Sequence, residues 1–149
     1  MLELGLHLHV NPITREPAVW EYCGYLSKKY DNFHVYLKGG MKDIMERLSQ
    51  CDFGLLPEPL KIEQGFLDIM LPNKLFDYLA CGLPVASING IVINNYLKEQ
   101  QAGFTFENSM DLYDKLDEFS ITSIEGSHFC IEHHFPRVEK FCRGVINGS

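Results

Sequence analysis

"LPNKLFDYLACGLPVAS", residues 71–87, carries a short helix that stops and turns directly into a strand. Pro72 suits the first helical turn, where its missing N–H would have no partner in any case, and Gly82 suits the position just past the last turn. With about 100° between successive residues, Leu75, Phe76, Leu79 and Ala80 cover one side of a helix over 72–81. Asn73, Lys74 and Asp77 project from the opposite side. The residues after Gly82 supply a buried-strand signal at 84–88. A polar helix side is ordinarily just solvated; what it does here depends on what flanks it.

Strand and helix signals alternate on both sides of this stretch. Upstream, "LGLHLHV" (4–10) alternates Leu6, Leu8 and Val10 with His7 and His9, "FHVYL" (33–37) is a second strand closed by Gly39-Gly40, and "FGLLP" (53–57) is a third. Helical spacing lies between them, over 16–29 (Val19, Trp20, Cys23, Leu26) and over 42–50 (Ile44, Met45, Leu48). Downstream come a helix over 91–100, a strand over 103–106, a helix over 109–119 and a last amphipathic helix near 131–146. Five strand signals separated by helices predict an α/β chain: a Rossmann-like, doubly wound parallel sheet of about five strands with helices on both faces. No linker, repeat or low-complexity segment interrupts the 149 residues, so 1–149 reads as a single domain.

Composition narrows the partners. The net charge is −7, from 20 acidic against 13 basic side chains, and no basic stripe of the kind a nucleic acid or anionic membrane requires is present. No run nears the ~18 apolar residues of a membrane span, and the N-terminus lacks a basic region followed by an apolar core. The five cysteines, Cys23, Cys51, Cys81, Cys130 and Cys142, are widely spread and form no Cys-x-x-Cys pair. A reducing, cytoplasmic setting is the expectation.

The connection over 58–71 exceeds the usual ~4–6 residues, and such loops are often functional. It leads into the helix over 72–81 from the carboxyl side of the third strand, where open α/β sheets bind ligands. A helix N-terminus offers unpaired N–H groups and a positive dipole end to a phosphate; Lys74 adds a full charge, and Asp77, one turn further in, can accept hydrogen bonds from ribose hydroxyls.

"PNKLFDYLACGLPVAS" resembles the nucleotide-sugar-binding segment of retaining, group 1 type glycosyltransferases of the two-domain GT-B architecture, commonly written Lys-Leu-Phe-Glu-Tyr before a Gly-x-Pro-Val turn. "RLSQCDFGLLPEP" is similar to the helix and strand before that segment, and "QAGFTF" to the strand after it. The resemblance runs from about residue 4 to 120 and is strongest over 47–106. It implies the C-terminal, donor-binding domain of a hexosyltransferase-type enzyme of polysaccharide biosynthesis. The donor substrate would be a UDP- or GDP-sugar, with no further cofactor and no metal.

Carried over by residue, the resemblance puts Asp77 in the place of the family's ribose-binding glutamate, one methylene shorter. Lys74 and the backbone near Asn73 would lie by the diphosphate, and Lys38, Gly39 and Gly40 in the segment whose backbone meets the base. Ile69 stands where the family's other motif glutamate would be, so that contact is lost. "LGLHLHV" is similar to the family's second strand, which implies that the first strand–helix unit with its basic diphosphate clamp and the N-terminal acceptor domain are both absent. The chain is then a portion of a longer enzyme or the product of a truncated gene, binding weakly and not turning over alone, with no catalytic residue assignable. A missing central strand would separate two groups of strands, or lead to self-association or to a sheet closed between the first and third strands here.

Other constellations carry less. Cys130 and His133 have a suggestive interval, but His133 and His134 would point about 100° apart on a helix, and a mixed polar turn entering the last helix explains His128, Cys130, His133 and His134 as well. His7, His9 and His34 fall on adjacent strands with no partner carboxylate or nucleophile evident, so packed or partly exposed histidines are expected. Trp20, Tyr22 and Tyr25 suit helix packing, and Glu58 and Glu63 are loop acids. Gly-x-Ser-x-Gly, Walker and Gly-x-Gly-x-x-Gly signatures are absent from the sequence. Two alternatives stand beside the transferase: a nucleotide-sugar epimerase of the same architecture, and a non-catalytic flavodoxin-like or receiver-like module. Product analysis with UDP-GlcNAc separates the first; the lack of an acidic cluster at the first strand's end argues against the second.

Overall fold

The computed structural model describes residues 2–12, 15–36, 39–57, 69, 71–119, 124–130, 136 and 139–140. The fold is α/β, and the described residues form strands β1 (Leu8–Val10), β2 (Phe33–Val35), β3 (Gly54–Leu56), β4 (Val85–Ile88) and β5 (Gly103–Phe106), parallel within each of two sheets. Helices α1 (Pro17–Lys29), α2 (Met41–Leu48), α3 (Asn73–Ala80), α4 (Ile91–Glu99) and α5 (Ser109–Glu118) alternate with them. Among the described residues β1 pairs with β2, while β3, β4 and β5 form a second sheet in that order. The chain divides into two compact units, Met1–Arg47 and Leu48–Ser149.

In the second unit, period-two alternation along the strands builds a core on each face of the sheet. Leu56 and Val85 turn to one face, where Leu75 and Leu79 of α3, Ile93 and Leu97 of α4, and Ala102 bury them. Ala86 and Phe106 turn to the other, against Leu112 and Leu116 of α5, with Leu55, Ile88 and Phe104 alongside. Helices therefore cover both faces, as the alternation predicts. Each fully buried leucine contributes about 1.5–3 kcal/mol of hydrophobic stabilisation.

Helix ends follow local chemistry. Pro72 is the N-cap of α3 rather than its first helical residue; its φ of −71° and ψ of 145° suit a proline in extended backbone. Gly82 takes the left-handed φ of +76° just beyond α3, and its N–H donates to the Leu79 carbonyl at 2.9 Å. α5 starts at Asn108, whose side chain accepts from the N–H groups of Met110 and Asp111 at 3.0 and 3.1 Å. Lys115 anchors the same helix, donating to the Thr105 carbonyl at 2.8 Å and to Asp111 at 3.0 Å.

In the first unit, the strand expected from residue 4 begins only at Leu8. Leu2–Leu4 form a 3-10 turn, closed by the Gly5 N–H on the Leu2 carbonyl at 3.3 Å. The Asn32 side chain holds this arrangement, donating to the carbonyls of Leu2 and Leu6 at 2.9 and 2.7 Å. Packing of α1 against β2 leaves Tyr22 and Tyr25 outside the core, 61% and 54% exposed. Their rings lie 6.4 Å apart, centroid to centroid. The helix expected near 131–146 and the loop acids Glu58 and Glu63 lie outside the described residues, apart from 136 and 139–140.

Candidate functional site

The site begins with how α3 is seated. Leu75 and Leu79 are fully buried, and Tyr78, between them on the helix surface, lies over Gly54 of β3. The Tyr78 hydroxyl donates to the Leu55 carbonyl at 3.3 Å, and burial, followed by the charges of Asp77 and Cys51, pushes its pKa up. Phe76, assigned inward by spacing, is instead 36% exposed, with its ring edge to face with Tyr96 at 5.8 Å. The inward stripe is rotated toward Tyr78 because the missing side chain at Gly54 opens the space that an aromatic ring fills.

This seating puts Asn73, Lys74 and Asp77 together on the exposed side of α3. The helix returns antiparallel to the strands and reaches β4 through residues 81–84, so its N-terminus stands at the carboxyl end of the sheet. Pro72 contributes no side-chain cap there. The Leu75 N–H donates to the Pro72 carbonyl at 3.0 Å, which leaves the N–H groups of Asn73 and Lys74 without a side-chain cap, whereas the Asn108 side chain accepts from two N–H groups of α5. Burial, with the Asp77 charge next, pushes the Cys81 thiol up at the other end of α3. Segment Gly126–Phe129 packs against that end: a Cβ on Gly126 would come 2.9 Å from the Gly82 nitrogen.

Toward the carboxyl edge, Ser87 of β4 is buried at 2% exposure on the face that α3 and α4 cover. It stands in register with Thr105, whose hydroxyl donates to Asn94 of α4 at 3.2 Å. Sequence reading passed over Ser87, Thr105 and Asn94; the signal was available in "VASI", where alternation sends Ser87 inward with Val85.

Gly39 and Gly40 belong to the other compact unit. The Gly40 N–H donates to the Asp43 carboxylate at 2.9 Å, which reaches back from the first turn of α2 as in a capping box. Lys38 lies outside the described residues. Ile69, at the position of the missing motif glutamate, is 70% exposed.

Comparison with models of known families, with curated proteins and with solved structures finds no match. The reading of the site therefore rests on its own residues and on the resemblance they carry.

Among the described residues no group of three or more His, Cys, Asp or Glu side chains is arranged to hold a metal ion. His128 pairs with Glu125 at 3.2 Å and the Cys130 thiol donates to the Gly126 carbonyl at 3.5 Å, both local contacts, while His133 and His134 lie outside the described residues. Nor is any described helix long and apolar enough to cross a membrane. Cys23, Cys51, Cys81 and Cys130 are thiols.

Proposed function

We propose that this chain is the donor-binding part of a cytoplasmic, GT-B-type retaining glycosyltransferase that takes a nucleoside-diphosphate sugar. One observation carries the reading: the uncapped N-terminus of α3, at the carboxyl end of the parallel sheet, has Lys74 and Asp77 exposed beside it. The Lys74 ammonium and the N–H groups of Asn73 and Lys74 hold the diphosphate, and their positive charge stabilises it as it departs. Asp77 accepts the ribose hydroxyls. The acceptor and the general base belong to a partner domain, so the chain alone binds donor weakly and does not catalyse transfer.

Calorimetric titration with UDP and with GDP tests this. Saturable binding of one of them is expected, weakened roughly tenfold or more in Lys74→Ala and in Asp77→Ala, since a lost hydrogen bond to a charged group is worth about 1.5–3 kcal/mol. Absence of binding by both nucleotides, or full binding by both variants, overturns the assignment.

A further inference from the structure

The strand-borne histidines form a structure of their own. β1 and β2 pair in parallel with His9 opposite His34, so His7, His9, His34 and Tyr36 share one face. The His7 Nδ1 lies 3.0 Å from the His34 Nε2, with the two rings only 10° from parallel. The His9 ring stacks on His34 at 4.6 Å, and its Nδ1 lies 2.7 Å from the Tyr36 hydroxyl. The Arg47 guanidinium stands 4.8 Å over the Tyr36 ring, adding a fixed positive charge at the end of the row. The imidazoles thus run as a continuous cross-strand ladder rather than as three separate surface groups.

The geometry points to an acid-released latch: His7, His9 and His34 hold β1 against β2 while neutral or singly protonated, and further protonation parts the two strands. An N···N hydrogen bond needs one nitrogen with a proton and one with a lone pair, so it survives no proton or one extra proton on the His7–His34 pair. A second extra proton sets two N–H groups against each other at hydrogen-bonding distance. His9 can accept from the Tyr36 hydroxyl when neutral or donate to it when charged, but its charge then lies beside His34 and His7. Burial, followed by those two neighbours, already holds the His9 pKa below the ordinary histidine range. The stability this ring lends is complete above that ordinary range and is lost as pH falls through the lowered value. The charges that lower the His9 pKa are those of His34 and His7. On the packed elements, Glu21, Lys28 and Lys29 of α1, Glu46 of α2 and Glu16 are exposed, with Lys29 over the rings of Tyr25 and Tyr30, and Glu3 accepts from the Tyr30 hydroxyl. A two-stranded pair is marginal by itself, and each cross-strand contact is worth only about 0.2–1 kcal/mol. Losing two or three of them is enough to separate the strands. β3, β4 and β5 contain no histidine and supply an internal control.

Residue-resolved hydrogen exchange on the intact chain, corrected for intrinsic rates, reads the latch directly. The Leu8 and Tyr36 N–H groups bond to the carbonyls of Asn32 and Val10; those of Val85 and Asn89 bond to Ala102 and Phe106. Between about pH 7.5 and about pH 5, the range across which histidine ordinarily changes charge, protection at Leu8 and Tyr36 is expected to fall at least ~10-fold further than at Val85 and Asn89. His34→Gln keeps a polar side chain and removes the ladder's centre, so the excess loss should nearly vanish. An equal response in both sheets, or an undiminished excess in the variant, overturns the proposal. Should His34→Gln not fold, ring-proton titration of the natural chain decides. Coupled steps for His7 and His34, coinciding with the loss of strand protection, support the latch. Independent titration, or protection lost at another pH, overturns it.

Discussion

Gly54 has no side chain because the Tyr78 ring occupies the space where one would go. An added Cβ would fall inside that ring, so Gly54→Ala should displace α3 from β3 and destabilise the fold by about 1–3 kcal/mol, as overpacking does. Tyr78→Phe removes only the hydrogen bond to Leu55 and should lose about 1 kcal/mol in the same urea denaturation series. The contrast assigns the site's rigidity to shape rather than to the hydroxyl. At Asp111 the Glu107 N–H, then Lys115, hold the carboxyl below the usual range. A depressed carboxyl lends stability above its unfolded pKa of about 3.9 and loses it as pH falls through the folded value. Asp111→Asn should therefore lower the melting temperature at neutral pH, and the gap to the natural chain should narrow as pH falls below the unfolded-state value.

Two helices, α3 and α5, begin in opposite ways, and the difference sorts structure from function. Asn108 closes the N-terminus of α5 with its own side chain, which is the arrangement of a helix that only has to be stable. Asn108→Ala should cost about 1 kcal/mol, measured by thermal or urea unfolding, without affecting nucleotide binding. Pro72 starts α3 with fixed φ and its carbonyl accepts from the Leu75 N–H, but it has no side-chain acceptor for the N–H groups of Asn73 and Lys74. The cap positions at Pro72 and Gly82 were legible to within one residue because proline and glycine act on their own backbone. The inward face of α3 was not: Phe76 and Tyr78 are both aromatic, and only the bare backbone at Gly54 favours Tyr78. The expected strand over 4–10 was overlong for a similar reason. Alternating leucines satisfy a strand pattern, but hydrogen bonds from Asn32, far along the chain, hold the carbonyls of Leu2 and Leu6.

Across the whole molecule, the ladders distribute protection unequally. β4 pairs on both sides and is almost wholly buried, whereas each described residue of β1 pairs with β2 alone. The amides of β4 should exchange at least ~10-fold more slowly than those of β1 at neutral pH, since opening β1 releases less buried apolar surface. Comparable rates in the two strands would contradict this ranking. The sequence by itself determined the α/β alternation, the parallel direction of its strands and the polar side of α3, because periodicity, proline and glycine act over a few residues. Only the tertiary structure decided that the strands join as a pair and a triplet, that Tyr78 displaces Phe76, and that three histidines meet across β1 and β2. Those outcomes are choices among contacts distant along the chain, settled by which groups fill a space or find a hydrogen-bond partner once the elements pack.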